Sequence, residues 1–301
     1  MKKILPIIVF LISLSAFGQS SEKYNSDYEN FYRAEELFMK EQYAAARVEF
    51  RSFMDTYNKP NDPMYVKAAY YEGVSALELY NNDAIKLLLQ FNKDYPESIY
   101  KMDIYFRLAK YYYGKRKYED AIEWFNKLSI SDVEAENRDE FYFKLGHSYF
   151  EEERFDEARN VFYEIKDGDS QYANPALYYY SYIAYQNESY ETALEGFLKL
   201  ESDEKFAKIA PYYIAQIYYL QGKYEKVTDY AGKISAKEGV ISDGDLNLLI
   251  GDAYYKTGQY AKAVPYLEKN YRSNETSRDE KYALGYAYYR SGQYEKAIPV
   301  L

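Results

Sequence analysis

The sequence predicts an all-α protein built from about eight tandem helix pairs. A short motif, usually an aromatic residue, two variable residues and a small residue, recurs every 34 to 38 residues. Another small residue precedes it, usually by twelve positions, and large residues lie three or four positions from each small one. Spacings of three and four place such residues on one helical face, so each unit reads as two amphipathic helices.

The first helix of each unit carries the earlier small residue. In the second unit this residue lies only eleven positions before the next one, so we expect a shortened turn there. A large residue normally follows three positions later and would lie on the same face of the helix. The earlier small residues are Ala34, Gly73, Ala109, Gly146, Ser181, Ala215, Gly251 and Gly285.

The second helix carries the small residue of the recurring motif and usually a large residue four positions later. Paired small residues would let the two backbones approach closely while the large residues interlock around them. Turns such as "LQGK", "KTGQ" and "RSGQ" separate the two helices, and their Gly can supply the positive φ of a helix end. The motif residues are Ala46, Ala84, Ala121, Ala158, Ala193, Val227, Ala263 and Ala297.

This pattern resembles the tetratricopeptide repeat, whose units read L-G-x-x-Y and then A-x-x-x-F. "KLGHSYFEEERFDEARNVFYEI" at 144–165 and "LIGDAYYKTGQYAKAVPYL" at 249–267 match it closely. The resemblance covers about residues 27–301 and implies a right-handed α-solenoid whose concave wall is formed by the first helix of each pair. The predicted organisation is a repeat array over residues 19–301 whose last repeat is truncated, which suggests a piece of a longer protein.

The resemblance also implies which residues line the concave groove. They fall two before the motif Leu, one after the motif Tyr and one after the earlier small residue. Most are aromatic, which leaves two interpretations open: a partner-binding groove, or rings that only pack neighbouring repeats. The predicted groove residues are Phe106, Lys110, Tyr113, Phe143, His147, Phe150, Tyr178, Tyr182, Tyr185, Tyr212, Tyr219, Tyr255, Tyr282, Tyr286 and Tyr289.

A tyrosine ladder suits recognition of an extended protein or peptide partner. Tyrosine offers a large rigid contact area at low entropy cost, together with a hydroxyl for hydrogen bonding. The carboxylate-clamping members of the family need Lys, Arg and Asn on this wall, and only Lys110 qualifies here. Capture of a partner's C-terminus is therefore not expected.

The N-terminus has the layout of a secretory signal peptide, residues 1–18. Two lysines precede an apolar stretch from Ile4 to Phe17, and small residues surround a cleavage site before Gln19. The stretch is short for a membrane span, and the absence of Cys excludes a lipoprotein anchor. We therefore expect an exported, periplasmic protein that is soluble and not membrane-spanning once the signal is cleaved.

Composition argues against several functions. The formal charge of −10 disfavours nucleic acid, because phosphate binding needs basic patches. With one His and no Cys, a metal site of the usual His/Cys type is excluded, and His147 is expected to be a hydrogen-bonded groove residue. The glycines form no phosphate-binding loop, and the acidic runs read as solvated turns and polar faces. The sequence predicts a non-enzymatic protein without a cofactor.

Three functions remain open at this stage. The first is an exported scaffold that binds proteins in cell-envelope assembly or coordination. The second is a glycan-binding repeat protein, disfavoured because the lone Trp124 lies in a second helix. The third is the targeting arm of a longer enzyme or sensor.

Overall fold

The computed structural model describes residues 28–235, 244–271 and 276–301. The predicted signal peptide, residues 1–18, lies outside this part of the chain.

Within the described ranges the chain forms sixteen α-helices in eight successive pairs, and no β-strand. Two short 3-10 helices, Ile130–Asp132 and Ala135–Asn137, precede the seventh α-helix. Each pair coincides with one unit of the sequence repeat, so the predicted all-α array of helix pairs, an α-solenoid of repeats, is confirmed. The helices are α1 Glu29–Met39, α2 Tyr43–Tyr57, α3 Pro63–Glu78, α4 Ala84–Asp94, α5 Lys101–Gly114, α6 Tyr118–Phe125, α7 Arg138–Glu151, α8 Phe155–Tyr163, α9 Ala173–Gln186, α10 Tyr190–Leu200, α11 Ala210–Leu220, α12 Tyr224–Ser235, α13 Gly244–Lys256, α14 Tyr260–Asn270, α15 Arg278–Arg290 and α16 Tyr294–Ala297.

The helices divide into two compact units, the first extending to Ile104 and the second running from Tyr105 to Leu301. In the first unit, buried Phe31, Phe50 and Phe53 form an apolar core between α1 and α2. Burial of such large side chains is the main favourable contribution to folding.

The second unit has a core that runs along consecutive helix pairs. Its buried residues are the small and large residues of the repeat, such as Ala158 with Phe162 and Ala193 with Phe197. Because each pair covers the apolar face of the next, no single pair needs to be stable alone.

The earlier small residue of a unit is small because a large residue of the second helix lies directly against it. A Cβ added to Gly146 would lie 2.8 Å from Cε1 of Phe162, and one added to Gly251 would lie 2.8 Å from Cδ2 of Leu267. Both large residues stand four positions after the motif small residue of the same unit. In these helix pairs the small residue of the first helix therefore packs against the large residue of the second helix.

Replacing Gly146 with Ala is expected to destabilise the protein by about 1–2 kcal/mol, because overpacking against Phe162 outweighs the gain in helix propensity. Gly232 in α12 is the matched control, because a Cβ there meets no atom within 4 Å. The Gly232→Ala variant is expected to gain about 0.5–1 kcal/mol. Denaturant titrations followed by circular dichroism would measure both, and equal shifts in the same direction would contradict this packing account.

The turns between paired helices share one backbone conformation whether or not they contain glycine. Gly222, Gly258 and Gly292 have φ of 69°, 74° and 81°, as the turn sequences predicted. The remaining repeats place a non-glycine residue in the same left-handed region, which L-residues rarely adopt. These residues are Glu41, Tyr80, Arg116, Glu153 and Glu188.

Candidate functional site

The fifteen predicted groove residues lie on the first helices of repeats three to eight, all within the second compact unit. We call the surface that they form the first-helix face. Phe106 is buried, with 8% of its surface exposed, whereas Tyr282 and Tyr289 are 55% and 53% exposed. The other twelve are half-buried. Most side chains of the face therefore keep part of their surface accessible to solvent.

The part of the face on α5 and α7 is organised around His147. Its Nε2 hydrogen-bonds the Tyr179 hydroxyl at 3.1 Å, and its Nδ1 lies 3.4 Å from the Tyr113 hydroxyl. The rings of Phe143 and Tyr118 lie within 6 Å of the imidazole. The expected hydrogen-bonded histidine is therefore present, inside an aromatic cluster.

Burial shifts the pKa values in this cluster. It lowers the pKa of His147 below its usual value, and the nearby Glu151 carboxylate only partly opposes that shift. Burial also raises the pKa of Tyr113 and of Tyr179 to about 12. All three side chains are therefore neutral at pH 7 and act as hydrogen-bonding groups without charge.

We expect His147 to titrate below about 6.5, the ordinary histidine pKa. The unfolded chain then takes up the proton first, so the stability that neutral His147 contributes is complete above that pH. It is lost as the pH falls through the folded pKa. NMR titration of the ring protons of this single histidine would measure the value, and a pKa at or above the ordinary one would contradict the prediction.

The Glu151→Gln variant is the control for this titration. Because the Glu151 carboxylate raises the pKa of His147, its neutralisation should lower that pKa further.

Lys110, the one predicted cation of the face, is already paired. Its Nζ donates to Glu140 Oε2 at 3.0 Å and lies 5.1 Å from the Phe106 ring centroid. Lys144 contacts the same carboxylate at 2.7 Å. Burial opposes the charge of Glu140, but hydrogen bonds from Lys144 and Lys110 outweigh burial and lower its pKa. Lys110 is therefore engaged with a carboxylate of the protein itself.

On α9 and α11 the face is a cluster of tyrosines. Tyr213 lies between the predicted residues Tyr178, Tyr182 and Tyr185, at centroid distances of 6.4, 5.8 and 5.5 Å. Phe206, from the segment before α11, stacks on Tyr178 at 5.0 Å. Residues of two successive repeats thus form one continuous aromatic surface.

Sequence reasoning missed Tyr179 and Tyr213, which couple neighbouring repeats. Tyr179 stacks on Phe162 at 5.3 Å and 11°, and Tyr213 stacks on Phe197 at 4.6 Å and 10°. In the first unit Tyr71 stacks on Phe50 in the same way. Each tyrosine stands two positions before the earlier small residue of its repeat. That recurrence was the available signal.

Toward α13 the face becomes polar. The Tyr219 hydroxyl donates to Asp252 Oδ2 at 2.5 Å and accepts from Lys256 Nζ at 2.8 Å. Lys256 also pairs with Asp252 at 3.0 Å. A cleft of about 450 Å³ lies beside these residues, with Leu248 and Leu249 in its lining and Asp279 at its α15 side.

The last part of the face lies on α13 and α15. The rings of Tyr282 and Tyr286 stack at 5.9 Å, and Tyr255 meets Tyr286 edge-on at 6.0 Å. Arg290 donates to the Tyr286 hydroxyl at 3.0 Å. The face is therefore brought together in neighbouring clusters that differ in charge.

Two kinds of site are missing from the residues that the structure describes. None of them groups three or more His, Asp or Glu side chains in a way that could hold a metal ion. No helix among them combines the length and apolar character that crossing a bilayer requires.

The helix pairs match a known repeat family. A family model described as "Tetratricopeptide repeat" matches residues 106–173 and 248–301, which contain most of the four helix pairs α5–α8 and α13–α16. The chain carries tetratricopeptide repeats over these residues. No curated protein sequence matches this repeat protein.

Three of the solved structures that match this chain are similar to it over most of its length. A tetratricopeptide repeat protein from Parabacteroides merdae ATCC 43184 is 16% identical, covering 87% of this chain and 99% of its own, with a TM-score of 0.47. The apo form of RapI is 16% identical over 89% of this chain and 81% of its own, with a TM-score of 0.50. A chain from the structure of Naa15/Naa10 bound to HypK-THB is 12% identical, covering 90% of this chain and 40% of its own, with a TM-score of 0.55. At these identities the likeness concerns the fold.

Proposed function

We propose that this protein is an exported, non-catalytic scaffold that binds a protein or peptide partner on the first-helix face. Its role would be the assembly or coordination of the cell envelope. The observation that carries the proposal is the run of half-buried tyrosines along α9 and α11, continued by the exposed rings of α15.

The chemistry of the face supports a macromolecular partner. Tyrosine rings that are held by their neighbours lose little entropy on binding, and their hydroxyls can bond to a peptide backbone. Tetratricopeptide repeat folds generally serve as scaffolds for protein interaction. The clusters follow one another on successive first helices, which suits an extended segment better than a compact small molecule.

Export rests on the predicted signal peptide and has its own test. The mature protein recovered from a periplasmic extract is expected to begin at Gln19, as measured by N-terminal sequencing. Recovery of a cytoplasmic protein that retains residues 1–18 would overturn export while leaving the binding face untouched.

The binding face can be tested by photo-cross-linking in an envelope extract. A benzophenone amino acid replaces Tyr182 on α9, or in the control Tyr163 on α8, which is 60% exposed. A protein adduct is expected at position 182 and not at position 163. Equal adducts at both positions, or none at 182, would overturn the proposed face.

The surroundings of Trp124 disfavour the glycan-binding alternative. Lys127 Nζ lies 3.8 Å from the centre of the indole ring, and Tyr105 packs against the ring at 5.3 Å. The residue type most suited to stacking on sugars therefore already has two partners within the protein.

A further inference from the structure

We propose that the tyrosines of α9 and α11 bind an uncharged, proline-rich segment in the extended polyproline II conformation. This inference rests on the proposed function and names the chemistry of the partner. We call Tyr178, Tyr182, Tyr185, Tyr212 and Tyr213 the tyrosine wall.

The tyrosine wall stands on two helices without charge. The sequences of α9, "ANPALYYYSYIAYQ", and of α11, "APYYIAQIYYL", contain no Asp, Glu, Lys, Arg or His. Charged residues make up 29% of the whole chain, so two successive first helices without any depart clearly from its composition. A charged group of a partner would lose hydration here without gaining an ion pair from either helix, which is costly.

Two acidic residues on the neighbouring first helices, Asp252 and Glu151, make contacts of their own. On α13, Asp252 pairs with Lys256 and accepts from Tyr219. On α7, Glu151 lies 3.4 Å from Nε2 of His147. On the α13 side the flanking charges are therefore compensated, whereas on the α7 side the Glu151 carboxylate lies beside a neutral imidazole and disfavours an acidic occupant. An uncharged segment complements the wall itself, which carries no charge.

The arrangement of the rings favours proline over a flat ligand. Around Tyr213, the Tyr182 and Tyr185 rings are tilted by 81° and 64°. Rings set edge to face form ridges and slots, which can take pyrrolidine rings. Aromatic-lined grooves recognise polyproline II segments in this manner, and such a segment is already extended before it binds.

The hydrogen-bonding groups of the wall complement a proline-rich backbone. Proline has no N–H, so a proline-rich segment presents mainly carbonyl acceptors. The Tyr182 hydroxyl accepts from Gln186 Nε2 at 2.7 Å, which directs its own hydrogen elsewhere. It can therefore donate to a carbonyl of the partner.

A sugar fits the wall less well. Stacking of a sugar needs an open ring face, but Phe197 covers one face of Tyr213 and Phe206 covers one face of Tyr178. Sugar hydroxyls are also best bound by carboxylates, and α9 and α11 supply none.

The test measures binding of fluorescein-labelled decaproline to the mature chain by fluorescence polarisation. A decamer of alternating Gly and Ser and the sugar maltohexaose are the comparison ligands. Decaproline is expected to bind at least about tenfold more tightly than either, because its conformation is preformed. Its affinity should change less than about twofold between about 0.05 and about 0.5 M salt, since no ion pair forms.

Substitutions in the tyrosine wall test whether decaproline binds there. Tyr182→Ala combined with Tyr185→Ala is expected to weaken binding by about tenfold or more, and Tyr163→Ala should leave it unchanged. Tyr182→Phe keeps the ring and removes the hydroxyl, so a loss of about fivefold is expected. Circular dichroism of each variant confirms that it is folded.

Three results would overturn the inference: tighter binding of maltohexaose or of the Gly-Ser peptide, a steep salt dependence, or decaproline binding that the double variant leaves unchanged. A cross-linked protein partner at position 182 without a proline-rich segment would also overturn it, while the proposed function would stand. If neither decaproline nor any protein reaches position 182, both proposals fail.

Discussion

Replacing Phe162 with Ala is expected to lower the free energy of unfolding by about 4 kcal/mol. Phe162 is fully buried and lies between two repeats. Its ring fills the space that a Cβ on Gly146 of α7 would occupy, and it stacks on Tyr179 of α9. Truncation would therefore leave a cavity that opens both the contact within the repeat and the contact between repeats.

Phe155→Ala, in the same helix α8, is the matched control. Phe155 is 38% exposed, so its loss should cost only about 1 kcal/mol. Denaturant titrations give the two free energies. Hydrogen exchange would show where the variant loses structure, because repeat arrays can unfold locally. Protection of backbone amides is expected to fall first in α7–α9. A loss below about 1 kcal/mol at Phe162 would mean that this ring does not couple the repeats.

Replacing Glu72 with Gln is expected to destabilise the first compact unit by about 3 kcal/mol. Glu72 Oε1 accepts from Arg47 Nε at 3.1 Å and from Arg51 Nε at 2.7 Å, and its side chain is only 6% exposed. Asp83 contacts both arginines from the start of α4. The Arg47 side chain is only 12% exposed, and without the charge of Glu72 its guanidinium keeps only one carboxylate partner, Asp83.

The control is Glu49→Gln. Glu49 pairs with the exposed Arg33 at 3.0 Å, and surface pairs of this kind contribute about 1 kcal/mol or less. Thermal or denaturant unfolding of both variants separates the buried network from an ordinary surface pair. Equal losses in the two variants would contradict a special role for the buried network.

The helix pairs could be predicted from the sequence because each depends on local spacing. Residues such as Ala158 and Phe162, four positions apart, must share a face in any α-helix. The turns were only partly predictable. Gly258 indicates a positive φ from its residue type alone. Glu153 and Glu188 adopt a positive φ because the packing of the helices on either side requires that turn.

The candidate face was predicted in position but not in detail. The register of the repeat predicted which helices carry the face, and the structure places all fifteen residues on first helices. Several partners of these residues come from the next repeat, as with His147 and Tyr179 or Tyr219 and Asp252. Spacing within one helix carries no information about such partners, so these contacts could not be derived beforehand.

The sequence by itself determined the helical repeat, the small and large positions that pack it, and the absence of charge from α9 and α11. Only the tertiary structure decided which rings are covered and which charges are compensated. Tyr213 is covered by Phe197, and Lys110 is paired with Glu140. The physical reason is that periodicity fixes the direction of a side chain around its own helix. Its contacts depend on how the volumes of neighbouring helices fit together.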